Sequence, residues 1–263
     1  MSSLKLFAVK TRVVKVGDNL VELIVESLKA QNQHLEDNDV LAITSKIVSY
    51  SEGRIAQLGE VKPSDDARKL AEKYSLAPEF AELILRETDR IYGGVDKAVL
   101  TFKNGLMTPN AGIDSKNTSN DYAVLWPSNP EKSAKEIREG IKHKTGKTVA
   151  VMIVDSGLVP LRKGTNGLAL AVAGFKPIRD SIGKKDLFGK KITITRQAIA
   201  DDLASAAHLL MGEAAERTPV VLIKEAPLDF DDEVHGAAEM MMPFDQCIFM
   251  SIIERQLHDG EKS

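Results

Sequence analysis

Residues 149 to 167 read VAVMIVDSGLVPLRKGTNG, and what this stretch does sets the architecture. The β-branched and apolar run predicts a buried strand over 148–154, which stops at Asp155. Ser156, Gly157, an apolar patch from Leu158 to Leu161 and the cations Arg162 and Lys163 follow. A charged helix opened by Asn129-Pro130 precedes the strand, with Ala134, Ile137 and Ile141 facing inward and Gly146 ending it. Behind the strand lies a glycine-rich region with Gly164, Gly167, Gly174, Gly183 and Gly189. Helices and strands therefore mix without strict βαβ alternation, which favours an α+β fold over a doubly wound sheet.

Working outward, KLFAVK predicts a first strand and GDNLVELIVESLKA a helix capped by Asp18 or Asn19, with Leu20, Leu23, Ile24 and Leu28 as its apolar stripe. DVLAITSKIVSYSEGRI begins as a buried strand that leaves the hydroxyls of Thr44, Ser45 and Ser49 near or beyond its end. Ser64 and Pro78 open two short helices. Asn104-Gly105 predicts a hairpin between two strands. KKITITRQA alternates and reads as a strand. ADDLASAAHLLMGEAAE reads as a helix with Leu203, Ala206, Leu209 and Leu210 on its apolar side. TPVVLIKEA reads as a buried strand, and residues 239 to 257 close with a helix. No linker of Pro, Gly and Ser marks a boundary, so residues 1–263 are expected to form one catalytic unit, with room for two structural subdomains.

The chain has 263 residues, 43% hydrophobic and 28% charged, with a net charge of -3. That is an ordinary globular composition, and it offers no basic face for a nucleic acid. The single cysteine, Cys247, excludes an intramolecular disulfide framework and a multi-cysteine metal site. MSSLKLFAVKTRVV lacks the apolar core of a signal peptide, and no apolar run reaches the ~18 residues of a membrane span. A cytoplasmic protein is expected.

HKTGKT (143–148) imitates a phosphate-binding loop, but that loop needs G-x-x-x-x-G-K-[ST] between a strand and a following helix. Here the first glycine falls on Ile141 and the helix comes first, so a helix stop flanked by lysines is the better reading. Three oxygen-rich places are more informative. Asp114 and Asn117 can present a carboxylate and an amide to one point, although Asx turns in a solvated loop would look the same. Asp155 at a strand end, with the Ser156 hydroxyl beside it, is a common way to hold a hard cation against a phosphate. Glu213 adds a carboxylate after Met211-Gly212, where a glycine permits close backbone approach. Mg2+ or Mn2+ takes oxygen ligands of this kind, while Arg162 and Lys163 can neutralise charge developing on a transferred group. The five histidines show no paired metal-ligand spacing, and His208 reads as structural.

NAGID-x-x-N (Asn110 to Asn117), the strand ending in Asp-hydroxyl, LRKG-x-x-G-x-A-x-x-x-x-G (Leu161 to Gly174), DLFGK (Asp186 to Lys190) and ADDLASAAHLLMGE (Ala200 to Glu213) occur in one order. Together they resemble the coenzyme F420-0:γ-glutamyl ligase family, and the likeness runs from FAVK to TPVVLIKE. The resemblance implies an α+β fold of mixed sheets with packed helices, assembled as an intertwined homodimer. It also implies a GTP-dependent ligase that adds L-glutamate to coenzyme F420-0 through an acyl phosphate, then a second glutamate by γ-linkage, with Mg2+ or Mn2+ and with K+ as a further candidate cation. Carried over by motif, Asp114, Asp155, Ser156 and Glu213 would ligate metal. Lys10, Thr11, Thr44, Ser45, Ser49, Asn117, Met211, Gly212 and Glu213 would hold the nucleotide, and Asp155, Arg162 and Lys163 would serve catalysis. The chain departs from the family pattern at Gly157-Leu158-Val159, where Asn-Gly-Arg is usual, and at Tyr50, where a lysine is usual. Two alternatives keep the site: an amide ligase for another carboxylate acceptor, and a non-catalytic GTP-binding protein.

Overall fold

The computed structural model describes residues 3–115 and 121–260. The first part of the chain forms β1 (Lys5–Val9), α1 (Leu20–Ala30), β2 (Val40–Thr44) and α2 (Ser45–Ser51). The middle forms β3 (Ile55–Gln57), α3 (Asp65–Tyr74), α4 (Pro78–Glu87), β4 (Arg90–Val95), β5 (Ala98–Lys103), β6 (Leu106–Pro109) and β7 (Tyr122–Val124). Then come α5 (Pro130–Thr145), β8 (Ala150–Gly157), β9 (Asn166–Phe175), β10 (Ile178–Asp180), β11 (Arg196–Ala198) and α6 (Ile199–Met211). The chain closes with β12 (Val220–Lys224), β13 (Phe230–Gly236), α7 (Ala237–Met240) and α8 (Ile248–Gly260).

Six strands make a mixed sheet in the order β1-β12-β2-β8-β9-β13. Side chains alternate across the pleat, and the central strands β12, β2, β8 and β9 are covered on both faces. Leu41, Ile43, Val151, Ile153 and Leu222 pack with α1 and α5 on one face. Val40, Ala42, Met152, Val154 and Val221 pack with α6 on the other. Smaller clusters around α3 and α4 form the core of the middle segment, which also carries the β4-β5-β6 sheet and the β3-β7 pair.

The expected helix caps are present. Asn19 accepts from Glu22 N–H, Ser64 from Ala67 N–H and Asn129 from Lys132 N–H, each satisfying an otherwise unpaired first-turn amide. Asn104 and Gly105, both with positive φ, turn β5 into β6. Other expectations need correcting. Strand β8 continues through Asp155 and Ser156 to Gly157, pairing with Leu168, Gly167 and Asn166. The glycine-rich region holds a ten-residue buried strand, β9. Of KKITITRQA only Arg196–Ala198 forms a strand, in a two-stranded arm with β10. On α6 the sheet-facing positions are Ile199, Ala200, Leu203, Ala204, Ala207 and Met211, whereas Leu209 is 83% exposed.

The pairing of β2 with β8 positions the site. Among the described strands β2 and β8 are the only parallel pair, registered so that Thr44 lies beside Val154. Their carboxyl ends therefore finish at the same edge. Antiparallel pairing brings the end of β1 (Val9 opposite Val220) and the start of β9 (Asn166 opposite Gly157) to that edge as well.

Candidate active site

A cleft of about 430 Å³ opens at this edge, within the range of small-molecule sites. Its walls include Thr11 and Arg12 after β1, Thr44 to Lys46 at the β2–α2 junction, Asp155 and Ser156 of β8, and His208 to Thr218 from the end of α6 onward, Leu209 and Leu210 excepted. Asp114 reaches it from the middle segment, where a bridge to Val124 pins its backbone at N···O distances of 3.0 and 2.8 Å.

Alternation along β8 sends neighbouring side chains to different walls. Asp155 lies toward the α1–α5 face, where Trp126 Nε1 donates to one carboxylate oxygen and the Ser156 N–H to the other, at 2.8 Å. Lys46 Nζ bonds Asp114 Oδ2 at 2.5 Å in the same corner. Burial pushes the Asp155 carboxyl up to about 6, with the Asp114 charge adding to the rise; the two hydrogen bonds and Lys46 oppose it without cancelling it. Ser156 lies toward α6. Its hydroxyl donates to Glu213 Oε1 at 2.8 Å, and the same oxygen accepts from Thr165 Oγ1 at 2.5 Å and sits 2.8 Å from His208 Nε2. Partial burial of Glu213 would raise its pKa, but hydrogen bonds from Thr165, Ser156 and His208 outweigh it and hold the carboxyl at about 2.

The cleft thus gathers Asp114, Asp155, Ser156, Glu213, Thr11, Thr44, Ser45, Met211 and Gly212. It does not merge the four oxygen side chains into one shell. Among the described residues no three His, Cys, Asp or Glu side chains form a group able to hold a metal ion. Lys10 is exposed, its backbone paired with the Gln31 amide, and it does not line the cleft. Ser49 is 1% exposed inside α2, with Oγ lacking a hydrogen-bond partner among the described residues. Arg162 and Lys163 stand on the exposed β8–β9 loop, outside the cleft wall. Asn117 lies outside the described residues. The space beside Gly212 is filled by the Glu216 side chain rather than left open to a ligand.

Among the residues that sequence reasoning missed, His208 and Lys46 stand in the cleft wall and Trp126 lies behind it in the core. His208, expected to be structural, contacts Glu213 and lines the cleft, because the last turn of α6 ends at the sheet edge. Lys46 follows the Thr44-Ser45 pair directly and pairs with Asp114 across 68 residues of chain, a distance no local pattern reveals. Trp126 was not singled out because its partner Asp155 is 29 residues away.

Comparison with known proteins puts the chain among the ligases. It belongs to the F420-0:Gamma-glutamyl ligase family, whose profile matches residues 8–225. It is similar to the Coenzyme F420:L-glutamate ligase of Methanothermobacter thermautotrophicus, with 37% identity over 90% of this chain and 94% of that one. The Methanopyrus kandleri protein of the same name is 39% identical, over 81% of this chain and 83% of its own. That of Archaeoglobus fulgidus is 35% identical over the same shares.

Proposed function

We propose that this protein is a GTP- and metal-dependent ligase that joins L-glutamate to coenzyme F420-0 and then adds a second glutamate by γ-linkage. The observation that carries the reading is the convergence of Asp114, Asp155, Ser156 and Glu213 with Thr11, Thr44 and Ser45 on one cleft at the sheet edge. The family's description supplies F420-0 and the γ-glutamyl group, and the relatives' names supply L-glutamate.

The donor set suits a hard divalent cation. It consists of oxygens, and Asp155, half-buried in the cleft wall, forms no ion pair among the described residues, so a cation beside it would relieve the cost of its charge. Asp155 and Asp114 would hold one Mg2+ or Mn2+, and Ser156 and Glu213 would offer oxygens to a second ion or to its water, with K+ a further candidate there. A bound cation supplies charge neutralisation on the phosphates. Arg12 and Lys46 add fixed positive charge in the cleft wall, and the hydroxyls of Thr11, Thr44 and Ser45 offer donors to phosphate oxygens, with Met211 and Gly212 around the nucleotide.

In the first half-reaction an acceptor carboxylate oxygen attacks the γ-phosphorus of GTP, and the bond to the β-phosphate oxygen breaks to release GDP. In the second, the amine of L-glutamate attacks the acyl carbon, loses a proton and expels inorganic phosphate. The chain's contribution is positioning and charge stabilisation. Arg162 and Lys163 would meet the anionic acceptor from the β8–β9 loop, whose Thr165 is anchored on Glu213. A homodimer is part of the proposal, supported by the exposed apolar tip of the β10–β11 arm, where Leu187 and Phe188 are each 93% exposed. Among the described residues no helix is long and apolar enough to cross a membrane.

Incubation with F420-0, L-glutamate, GTP and Mn2+, read by product mass, tests the reading. Glutamyl addition with GDP release supports it. GDP release only on another acid transfers the assignment to a different acceptor, and metal-dependent GTP binding without turnover on any acid removes the catalytic reading.

A further inference from the structure

The chain's only tryptophan, Trp126, is 3% exposed, yet its one polar atom is directed at the Asp155 carboxylate. A tryptophan in a core usually satisfies its N–H on a nearby carbonyl; here it is spent on a cleft carboxylate. With Ser156 N–H bonding the other oxygen, each Asp155 oxygen accepts one fixed donor, and the plane of the carboxylate is set. Each oxygen keeps a further lone-pair direction free.

The indole is itself held from three sides. Gly112, at φ 71°, lies flat against it: a Cβ there would sit 2.1 Å from Trp126 Cε2, so the close approach requires glycine. Gly112 follows Asn110 and Ala111, both also in the left-handed region, and precedes Asp114 by two residues. This strained run is clamped by Asn110 Oδ1 accepting from Val99 N–H and Thr101 Oγ1 accepting from Ala111 N–H, each at 2.9 Å. Lys103 Nζ lies 5.4 Å from the indole centroid and bonds Glu87 at 2.6 Å. Arg54 bonds the same Glu87 and also donates from Nε to the Trp126 carbonyl at 3.0 Å. Trp126 therefore touches β8 through Asp155, the turn that delivers Asp114, and a part-buried Arg54–Glu87–Lys103 network.

We propose that Trp126 is a positioning residue that sets the orientation of Asp155 and, through its face on Gly112, the placement of Asp114, so that both carboxylates meet one divalent cation. The proposal rests on the reading of Asp155 and Asp114 as metal ligands. Donors bonded to metal-ligating groups typically control affinity 10- to 100-fold.

The test uses the full-length protein and Mn2+ alone. Calorimetric titration should show Trp126→Phe, which keeps a ring and loses the N–H, binding Mn2+ at least about tenfold more weakly than wild type. Ile141→Val, a core change in the same hydrophobic cluster, should bind within twofold of wild type, separating positioning from general loosening. Should Trp126→Phe not fold, the wild-type protein still decides. Paramagnetic Mn2+ bound beside Asp155 should quench the single tryptophan saturably, with the calorimetric midpoint, and Asp155→Asn should abolish the quench. Trp126→Phe binding Mn2+ as wild type does, or wild type binding Mn2+ with unchanged fluorescence, overturns the positioning role alone. A wild-type protein that binds no Mn2+ overturns the metal reading and this proposal with it.

Discussion

Replacing Asp155 by Asn removes a charge that the folded protein holds at a cost. Burial moves this carboxyl from an ordinary 3.8 to about 6, and each pH unit between the two values is worth about 1.4 kcal/mol. The metal-free wild type should therefore lose about 3 kcal/mol of stability from this one group as pH rises from 4 to above 6. The sign follows from proton counting. Between pH 3.8 and 6 the folded form binds a proton that the unfolded form has released, so the stabilisation is complete below 3.8 and gone once pH has passed 6. The Asn variant cannot titrate there. Whatever constant offset its altered contacts with Trp126 and Ser156 introduce, its stability relative to wild type should climb by about 3 kcal/mol over that range. For a chain of this size that is about 6–12 °C in melting temperature. Chemical denaturation at pH 4, 5, 6, 7 and 8 in a chelating buffer measures the difference directly. Adding Mn2+ at pH 7.5 should then raise the melting temperature of wild type but not of the variant, because only wild type has a carboxylate for the ion to relieve. A stability difference that stays flat from pH 4 to 8 would refute the desolvation argument for Asp155.

Four further outcomes follow from the geometry. Glu213→Gln should keep the fold, with a melting temperature within a few degrees of wild type, and lose at least about a hundredfold in turnover; comparable turnover would remove Glu213 from the machinery. His208→Ala should loosen Glu213, lowering turnover less than Glu213→Gln does, and His208→Gln should recover part of the loss through its amide donor; equal activity in all three forms would make the contact incidental. Gly112→Ala should cost about 2–4 kcal/mol in urea unfolding, combining a left-handed φ with a Cβ driven into the Trp126 ring; a change below about 0.5 kcal/mol would contradict the contact. His235 is clamped between Glu239 and Asp231; burial disfavours its charge, but the two carboxylates outweigh it and raise its pKa. That contribution is complete below the unfolded value near 6.5 and is lost as pH rises through the folded pKa. Wild type should therefore lose more stability above pH 6.5 than His235→Gln does, and parallel profiles for the two proteins would refute the clamp.

Much of the fold is legible in the sequence where one element carries its own pattern. Asn19, Ser64 and Asn129 announce their helices because the cap is made within three residues, and β2 and β12 announce themselves by unbroken apolar runs. Strand β9 hides because glycine and alanine make up half of its NGLALAVAGF. A Cβ on Gly167 would lie 2.1 Å from the Ala204 carbonyl oxygen, so close packing under α6 selects the glycine that disguises the strand. KKITITRQA misleads in the opposite way: it alternates, but Ile194 is 82% exposed and the arm has no apolar face against the sheet. The site divides along the same line. Asp155, Ser156 and Glu213 stand out as oxygens at element ends, whereas Lys46, His208 and Trp126 gain their meaning from partners brought in by the parallel β2–β8 register and the antiparallel neighbours of that pair.

Glutamyl transfer itself can be followed in a single reaction. Purified protein, F420-0, L-glutamate, GTP and Mn2+ are combined, and the acceptor's mass and the released GDP are followed together. The ligase should yield acceptor carrying one and then two glutamyl residues, one GDP for each, and no product with Asp155→Asn. Acceptor recovered unchanged while the wild-type protein is folded and metal-loaded would contradict the assignment.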